Sequence, residues 1–467
     1  MSADTKYLRY PTDYNLQSVE LITPLLGNNN VVNLLPFMVE INLYEDIYSP
    51  TISGEIVIQD SLGLMANYLI NGTEFIRIKL QKTSESQSIT KSYRVYKISK
   101  RVVGESNNYE VYVLNFCSEE FLLSEQYRIS KSAVGKEIYK TVTDILTNYL
   151  KTKKPTDIDT TYGVYDFVLP NKKLFETINW LATYAQLDAK SGADMLFFEN
   201  GTGYNFKSLQ NLYNKTPYQT YKFDPKNIGD DMNQKVSNVL EFDVLDFFDT
   251  LGAISNGTFS NKVITIDPTK RKYDSTTGVF NYADYVAKSK PMNGYGVTNN
   301  YKNRLGGTMY DTPPETVAGL EVGTLRLASG NADQKKTKYI SQKPDAVAND
   351  IQIEKYLPNR VAQLALANYM RIKITIAGDP TLVAGQTVNF NMFKTDPKTY
   401  TQGGSNASRD LDPFYSGKYL VSAVRHIVKN NSYITVVELC KESVSKSYPS
   451  FDSSNSLLKQ FVNGVQV

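Results

Sequence analysis

A chain of 467 residues, 41% apolar and 21% charged, has material for about three globular domains with cores of their own. Its 51 basic residues are balanced by 48 acidic ones, and the basic clusters (Lys151, Lys153, Lys154; Lys270, Arg271, Lys272; Lys335, Lys336, Lys338) are short and scattered, which argues against tight binding of nucleic acid through its phosphates. No run approaches the roughly 20 apolar residues of a membrane span and the first residues show no signal pattern, so no membrane insertion by this chain is expected.

In chain order, residues 1–20 read as an N-terminal arm and 21–118 as an all-β module. Phe37–Leu43 and Gly54–Asp60 alternate apolar and polar residues around Tyr48-Ser49-Pro50. Asn71-Gly72 signals a turn before the alternating Glu74–Leu80. Tyr93–Val103 and Tyr109–Phe116 flank a polar turn and predict a hairpin. Over 119–215 the texture becomes α/β. Ile138, Val142, Ile145 and Tyr149 share a helical face that Pro155 ends, and Leu174, Ile178, Leu181 and Ala185 mark a second helix beside Trp180. Asn200-Gly201 signals another hairpin between Met195–Glu199 and Tyr204–Lys207.

Strand patterning returns over 216–250. The stretch 251–350, rich in Gly, Asn, Asp and Lys, has weak periodicity and reads as an insertion of irregular loops. A helix over about 351–366 then leads into strands at Arg371–Ala377, Gln386–Met392, Tyr419–Val428 and Ser432–Leu439. Residues 443–467 read as a Ser-rich linker and a docking tail. In that tail Leu457, Leu458, Phe461, Val462 and Val465 recur at i, i+1, i+4, i+5 and i+8, one apolar stripe of a helix too short to stand alone. It is expected to order against a partner.

The residue types restrict the chemistry. His426 is the sole histidine, so any Ser-His-Asp or Cys-His triad has to use it, and a metal site needing two imidazoles is excluded within one chain. Just before a hairpin turn, it reads as a turn or interface residue. Cys117 and Cys440 form no CxxC or zinc pattern and read as structural thiols. Glu241, Asp243, Asp246 and Asp249 offer an acid/base pair or calcium ligands, against the simpler reading of a solvated strand edge blunted by charge. No cofactor or metal site is expected. The 34 tyrosines suit half-buried strands and wide contact surfaces.

An internal repeat organises the β regions. Tyr93–Ile98 matches Tyr419–Val424 in apolar phase, Val113–Cys117 matches Val436–Cys440, and Gly72–Phe75 is set against Gly385–Val388. The expected fold class is α+β, mostly β: two related β-barrel domains (21–118; 216–250 with 351–442), an α/β domain (119–215) and the irregular insertion (251–350). Equivalent cysteines in different barrels disfavour a bond between them.

Several stretches in order, Leu43–Pro50 with Ile52–Ser61, Ser118-Glu119-Glu120, Tyr127–Lys131, Phe175–Ala182, Ala377–Gly385, Ser416–Val421 and Arg425-His426-Ile427, resemble the central hub proteins of contractile phage tail baseplates, related to the hub portion of type VI secretion spike proteins. The resemblance covers about 37–215 and 350–442. It implies a non-enzymatic homotrimer whose six barrels ring a channel, joining a six-fold tail tube to a three-fold spike. Implied partners are the central spike protein, tail tube or tube-adaptor proteins and other baseplate proteins, with DNA only in transit. The implied location is the virion tail baseplate, assembled in the host cytoplasm. The rival classes are a baseplate-associated cell-wall hydrolase and a Tyr-rich glycan-binding adhesin.

Overall fold

The computed structural model describes residues 14–24, 30–68, 70–82, 88–104, 108–188, 191–223, 237–267, 272–282, 285, 291–296, 320–325, 337–338, 347–348, 353–393, 411–429 and 432–446. The chain is mostly β. Seven strands build the first module: β1 (Tyr14–Thr23), β2 (Asn30–Asn33), β3 (Met38–Asp46), β4 (Ser53–Asp60), β5 (Phe75–Lys82), β6 (Ser88–Val103) and β7 (Glu110–Cys117). Their two-residue period sends Ile41, Ile56, Ile58, Ile76, Val95, Leu114 and Phe116 into one buried cluster with Val19 and Leu21. Each such side chain contributes about 1.5–3 kcal/mol by leaving water. At the Asn71-Gly72 turn, Gly72 adopts φ 93° and the Glu74 carboxylate accepts the amides of Asn71 and Gly72 at 3.0 and 2.8 Å.

The α/β domain holds helices Glu119–Gln126, Ile138–Asp144, Leu174–Ala182 and Leu209–Asn214. Around them run β8 (Arg128–Lys136), β9 (Thr156–Ile158), β10 (Tyr165–Lys173), β11 (Met195–Asn200) and β12 (Gly203–Ser208). β8 pairs β10, and the β11–β12 hairpin turns at Asn200-Gly201 as the dipeptide predicts. The stripe Leu174, Ile178, Leu181 and Ala185 is buried, as are Ile138, Val142 and Ile145. Tyr149 departs from its predicted face and is exposed. The helix widens into a π turn over Ile145–Tyr149, which inserts a residue and gives the buried place to Leu150.

The second module contains β13 (Thr220–Phe223) and β14 (Glu241–Phe247) before the inserted region. That region is more regular than its composition suggests. A helix Thr250–Ser255 precedes β15 (Ser260–Asp267), β16 (Lys272–Asn281), β17 (Tyr295–Gly296), β18 (Leu320–Leu325), β19 (Thr337–Lys338) and β20 (Val347–Ala348), and β16, β15 and β18 form a three-stranded sheet. Phe259, Phe280 and Tyr282 pack there against Ala362 and Leu366 of the helix Ile353–Ala367. The module resumes with β21 (Met370–Ala377), β22 (Thr387–Met392), β23 (Gly417–Lys429), β24 (Ser432–Lys441) and β25 (Ser443–Val444). β25 is buried and pairs β17, so the region read as a linker begins inside the fold.

The internal repeat is present in strand order and register. β3-β4-β7-β6-β5 in the first module corresponds to β14-β21-β24-β23-β22 in the second, every neighbouring pair antiparallel. Arg94 stands opposite Cys117, and Val95 opposite Phe116, with a bulge before Lys97. Leu420 stands opposite Cys440, and Val421 opposite Leu439, with a bulge before Ala423. One part of the sequence match is out by a residue. Phe75 pairs Arg94 and Thr387 pairs Leu420, so Glu74 corresponds to Gln386, not Thr387. The matching backbone bonds agree: Val95 donates to the Glu74 carbonyl and Val421 to that of Gln386.

The two copies join edge to edge. β23 carries β22 along its first residues and β3 of the first module along Ala423–Lys429, giving a 13-stranded sheet among the described residues. The expected pair of closed barrels is not found there: β14 and β2 stand at the two ends of the sheet path. The second module comes nearest to closure, through a single Lys222–Asn238 bridge between β13 and the approach to β14.

Candidate functional site: the shared sheet face and the three-way junction

One face of each module is apolar core, so strand alternation makes the other face polar, and the β23–β3 pairing merges the two polar faces into one wall. Its side chains cross-link strand to strand. Thr375, Lys373 and Arg371 on β21 meet Glu241, Asp243 and Asp246 on β14 at 3.3, 2.9 and 2.8 Å. A bulge between Val244 and Asp246 keeps Asp246 on the face of Asp243. Arg371 and Ser422 reach Glu438 at 3.3 and 3.1 Å. Across the seam Arg425 donates to Asn42 at 3.0 Å and Lys429 pairs Glu40 at 3.1 Å. Tyr44 and Asn42 then reach Glu55 on β4 at 3.1 and 3.3 Å. Half-exposed pairs contribute little stability each; their effect is a wall whose charges are met locally by opposite charges.

The acidic set considered above therefore takes the simpler reading. Glu241, Asp243 and Asp246 have partners on β21, and the Asp249 side chain caps the helix Thr250–Ser255 by accepting the Gly252 amide. His426 lies on β23 at the seam, opposite Leu43 of β3. It is buried, with Nδ1 2.9 Å from the Tyr433 hydroxyl and 3.3 Å from that of Thr435, and burial pushes the imidazole down to about 4. Cys117 and Cys440 are free and buried, and burial pushes their thiols up to about 11 and about 12. The apolar stripe Leu457, Leu458, Phe461, Val462 and Val465 lies outside the described residues.

Where the two modules and the α/β domain meet, the tip of the β11–β12 hairpin is a keystone. Glu199, buried at the end of an otherwise apolar strand, accepts the Ile52 amide at 3.1 Å and the Lys154 ammonium at 2.6 Å. Glu120 holds Lys154 from the other side at 2.7 Å. Burial opposes charge on Lys154, yet Glu199 and Glu120 together keep the ammonium above its usual range. Asn200 donates to the Ala384 carbonyl at 2.7 Å, and Lys91 donates to the Gly201 carbonyl. Glu45 of β3 accepts the Ala384 amide at 3.1 Å; burial pushes its carboxyl up to about 7 against the pull of the Ala384 and Gly201 amides. A cleft of about 500 Å³ opens beside Lys91, Lys154 and Glu199. This junction was not anticipated from the sequence. Its one signal was a carboxylate closing the run Met195-Leu196-Phe197-Phe198-Glu199 ahead of Asn-Gly.

The chain is a duplicated β sheet with a polar wall, clasped by a third, α/β domain. The comparisons carry the resemblance further. The chain is 22% identical over 408 residues, 86% of its length and 89% of the relative's, to the probable baseplate hub protein gp334 of Vibrio phage KVP40, so the likeness to baseplate hub proteins stands. Among solved structures it is similar to a tail protein from Neisseria meningitidis MC58, at 9% identity and a TM-score of 0.49, over 93% of this chain and 99% of that one. It is also similar to the 43 kDa tail protein of prophage MuSo2 from Shewanella oneidensis, at 8% identity and a TM-score of 0.47, over 91% and 97%. No family model matches the chain.

Proposed function

We propose that this chain is a structural hub subunit of a phage-type tail baseplate, three copies of which close a ring of six related β modules around a channel. The observation that carries the reading is the duplicated five-strand order joined through β23 and β3 into one open-ended sheet. An open sheet edge is a template for another strand, and a ring of copies removes such edges as a closed barrel does. Two related modules per chain under three-fold symmetry give six near-equivalent positions, which match a six-fold tube on one side and a three-fold spike on the other. The polar wall faces the channel in this reading. Its acids (Glu40, Glu55, Asp243, Asp246, Glu438) are interleaved with bases (Arg371, Lys373, Arg425, Lys429), which suits a passage that lets a charged polymer through without holding it. The role assigned is structural, with the spike, tube or tube-adaptor and other baseplate proteins as partners and the virion tail as location.

Electron microscopy of the purified chain with its spike partner tests this directly. Three-fold rings with a central channel, and a light-scattering mass corresponding to three hub copies, are expected. A stable monomer or dimer in that complex would overturn the reading.

A further inference from the structure

The two copies of the duplicated unit differ in what covers one strand. In the second module β23 pairs β24 on one side; on the other, Gly417–Leu420 pair β22 and Ala423–Lys429 pair β3. Its counterpart β6 pairs β7 on one side and, along Ser88–Arg94, β5 on the other. Among the described residues no strand pairs the outer edge of Lys97–Val103. Exposure follows this difference. Ile427 and Val428, opposite Asn42 and Ile41 of β3, are 8% and 5% exposed, whereas their counterparts Val102 and Val103 are 63% and 49% exposed. An uncovered strand edge with adjacent valines and no proline is a template for another strand.

The strand that fits it is at the end of the same sheet. β14 is the counterpart of β3, and among the described residues it pairs β21 and no strand on its other edge. Traced through the ladders, Asn42 and Tyr44 correspond to Asp243 and Asp246. Each of the two uncovered strands carries one residue more than its counterpart: β6 is bulged between Ser99 and Val102, and β14 between Val244 and Asp246. The insertions fall at the same level. When the β23–β3 register is transferred, Arg425 opposite Tyr44 becomes Ser99 opposite Asp246, and Ile427 opposite Asn42 becomes Val102 opposite Asp243. Two residues then lie between these pairs on each strand, Lys100-Arg101 and Val244-Leu245, so the transferred pairing runs without a slip. Lengthening only one strand would have broken it there. The same register sets Ile98, packed on the first module's core, opposite Phe247, packed on the second's.

We propose that Ile98–Val103 of one copy pair antiparallel with Phe242–Phe247 of the next, as the intermolecular counterpart of the β23–β3 seam. The contact is head to tail, so it closes a ring and leaves neither edge free. Each copy contributes β14-β21-β24-β23-β3-β4-β7-β6 to one closed barrel. The inference rests on the hub reading for the number of copies, whereas the strands and their register come from the duplication.

Disulfide trapping tests it in the full chain purified with its spike partner, the two native thiols being buried. Ser99→Cys with Asp246→Cys, and Val102→Cys with Asp243→Cys, are the in-register pairs. Ser99→Cys with Asp243→Cys, and Val102→Cys with Asp246→Cys, use the same positions about 10 Å out of register, beyond the Cα separation of about 7 Å that a disulfide spans. Under mild oxidation the in-register pairs should bond between chains at least about tenfold faster than the mismatched ones. Val102→Asp sets a carboxylate opposite Asp243 and should lower ring formation at least about tenfold, with the melting temperature of the free subunit unchanged because Val102 is exposed there. Equal rates for matched and mismatched pairs, in a complex whose mass shows three copies, would overturn this junction and leave the hub reading standing. Bonds formed within one chain, or rings indifferent to Val102→Asp, would overturn it in the same way. A complex without a ring would overturn both.

Discussion

Truncating Glu199 to alanine should loosen the whole molecule, because one carboxylate ties two domains. Its side chain is 2% exposed and accepts the Ile52 amide of the first module and the Lys154 ammonium of the α/β domain. Without it the Ile52 amide is left in a buried site with no acceptor from this side chain, a loss of about 1–3 kcal/mol. Removing one partner of a buried ion pair costs about 3–5 kcal/mol when the remaining charge has no other partner. Here Glu120 still holds Lys154 at 2.7 Å, so the charge contribution falls below that range and the expected total is about 3–4 kcal/mol. Urea denaturation of Glu199→Ala, Lys154→Met and the double variant measures both the total and the coupling. The double variant should lose less than the sum of the single losses, with a coupling of about 1–2 kcal/mol, since Glu199 and Lys154 then no longer leave each other unpaired, and Glu120, which loses Lys154 in both variants that lack it, keeps the Thr152 hydroxyl. Limited proteolysis should also cut near the α/β domain sooner in Glu199→Ala than in the parent. A loss below about 1 kcal/mol, or additivity within about 0.5 kcal/mol, would refute the keystone role.

Glu442 is buried, and burial pushes its carboxyl up to about 7 although the Met292 amide and the Ser443 hydroxyl both donate to it. A raised carboxyl stabilises the fold fully below its unfolded value near 4.5, and that contribution is lost as pH rises through about 7. Glu442→Gln should therefore flatten the fall in stability between pH 5 and pH 8 by about 3 kcal/mol, and identical pH profiles for variant and parent would contradict this. Gly378→Ala places a methyl group against the buried Tyr433 ring, whose hydroxyl stands 2.9 Å from His426. A loss of about 1–3 kcal/mol in thermal or chemical denaturation is expected, and an unchanged melting temperature would show that the ring moves aside freely. Filter binding of duplex DNA at physiological salt should show no retention, as the interleaved charges of the wall require; nanomolar affinity would count against a passage that releases its cargo.

Much of the fold was legible because its signals are local. The Tyr93–Phe116 hairpin, the Leu174–Ala185 stripe and the Asn200-Gly201 turn each follow from period or turn chemistry within about ten residues. The repeat was legible for the same reason, since its bulged hairpins carry the same apolar phase ahead of Cys117 and Cys440. Its register slipped where glycine guided the match: Gly72 and Gly385 are both at positive φ, yet they sit one place apart relative to the strands that follow them. The three-stranded sheet of β16, β15 and β18 went unread because β18 lies far along the chain from β15 and pairs it in parallel, a contact that no turn announces.

The junction was hidden for a deeper reason. Glu45, Lys91, Lys154 and Glu199 are far apart in sequence, and each alone looks like a surface charge on a strand or loop. Only when the β11–β12 tip enters the space between the modules do they come together, with Glu45 and Glu199 buried, Lys91 and Lys154 half-buried, and Glu45, Lys91 and Glu199 each bonded to backbone of another domain. A buried charge is tolerated where partners are fixed in place, so such a set is specific to one arrangement of the domains and is unfavourable in any other. The apolar residues that share the site, Ile47, Leu196, Phe198, Ala384 and Leu420, bring the domains together without fixing the angle between them. The polar ties supply that angle. For a subunit proposed to sit in a ring, the angle between modules is the quantity that decides whether the ring closes.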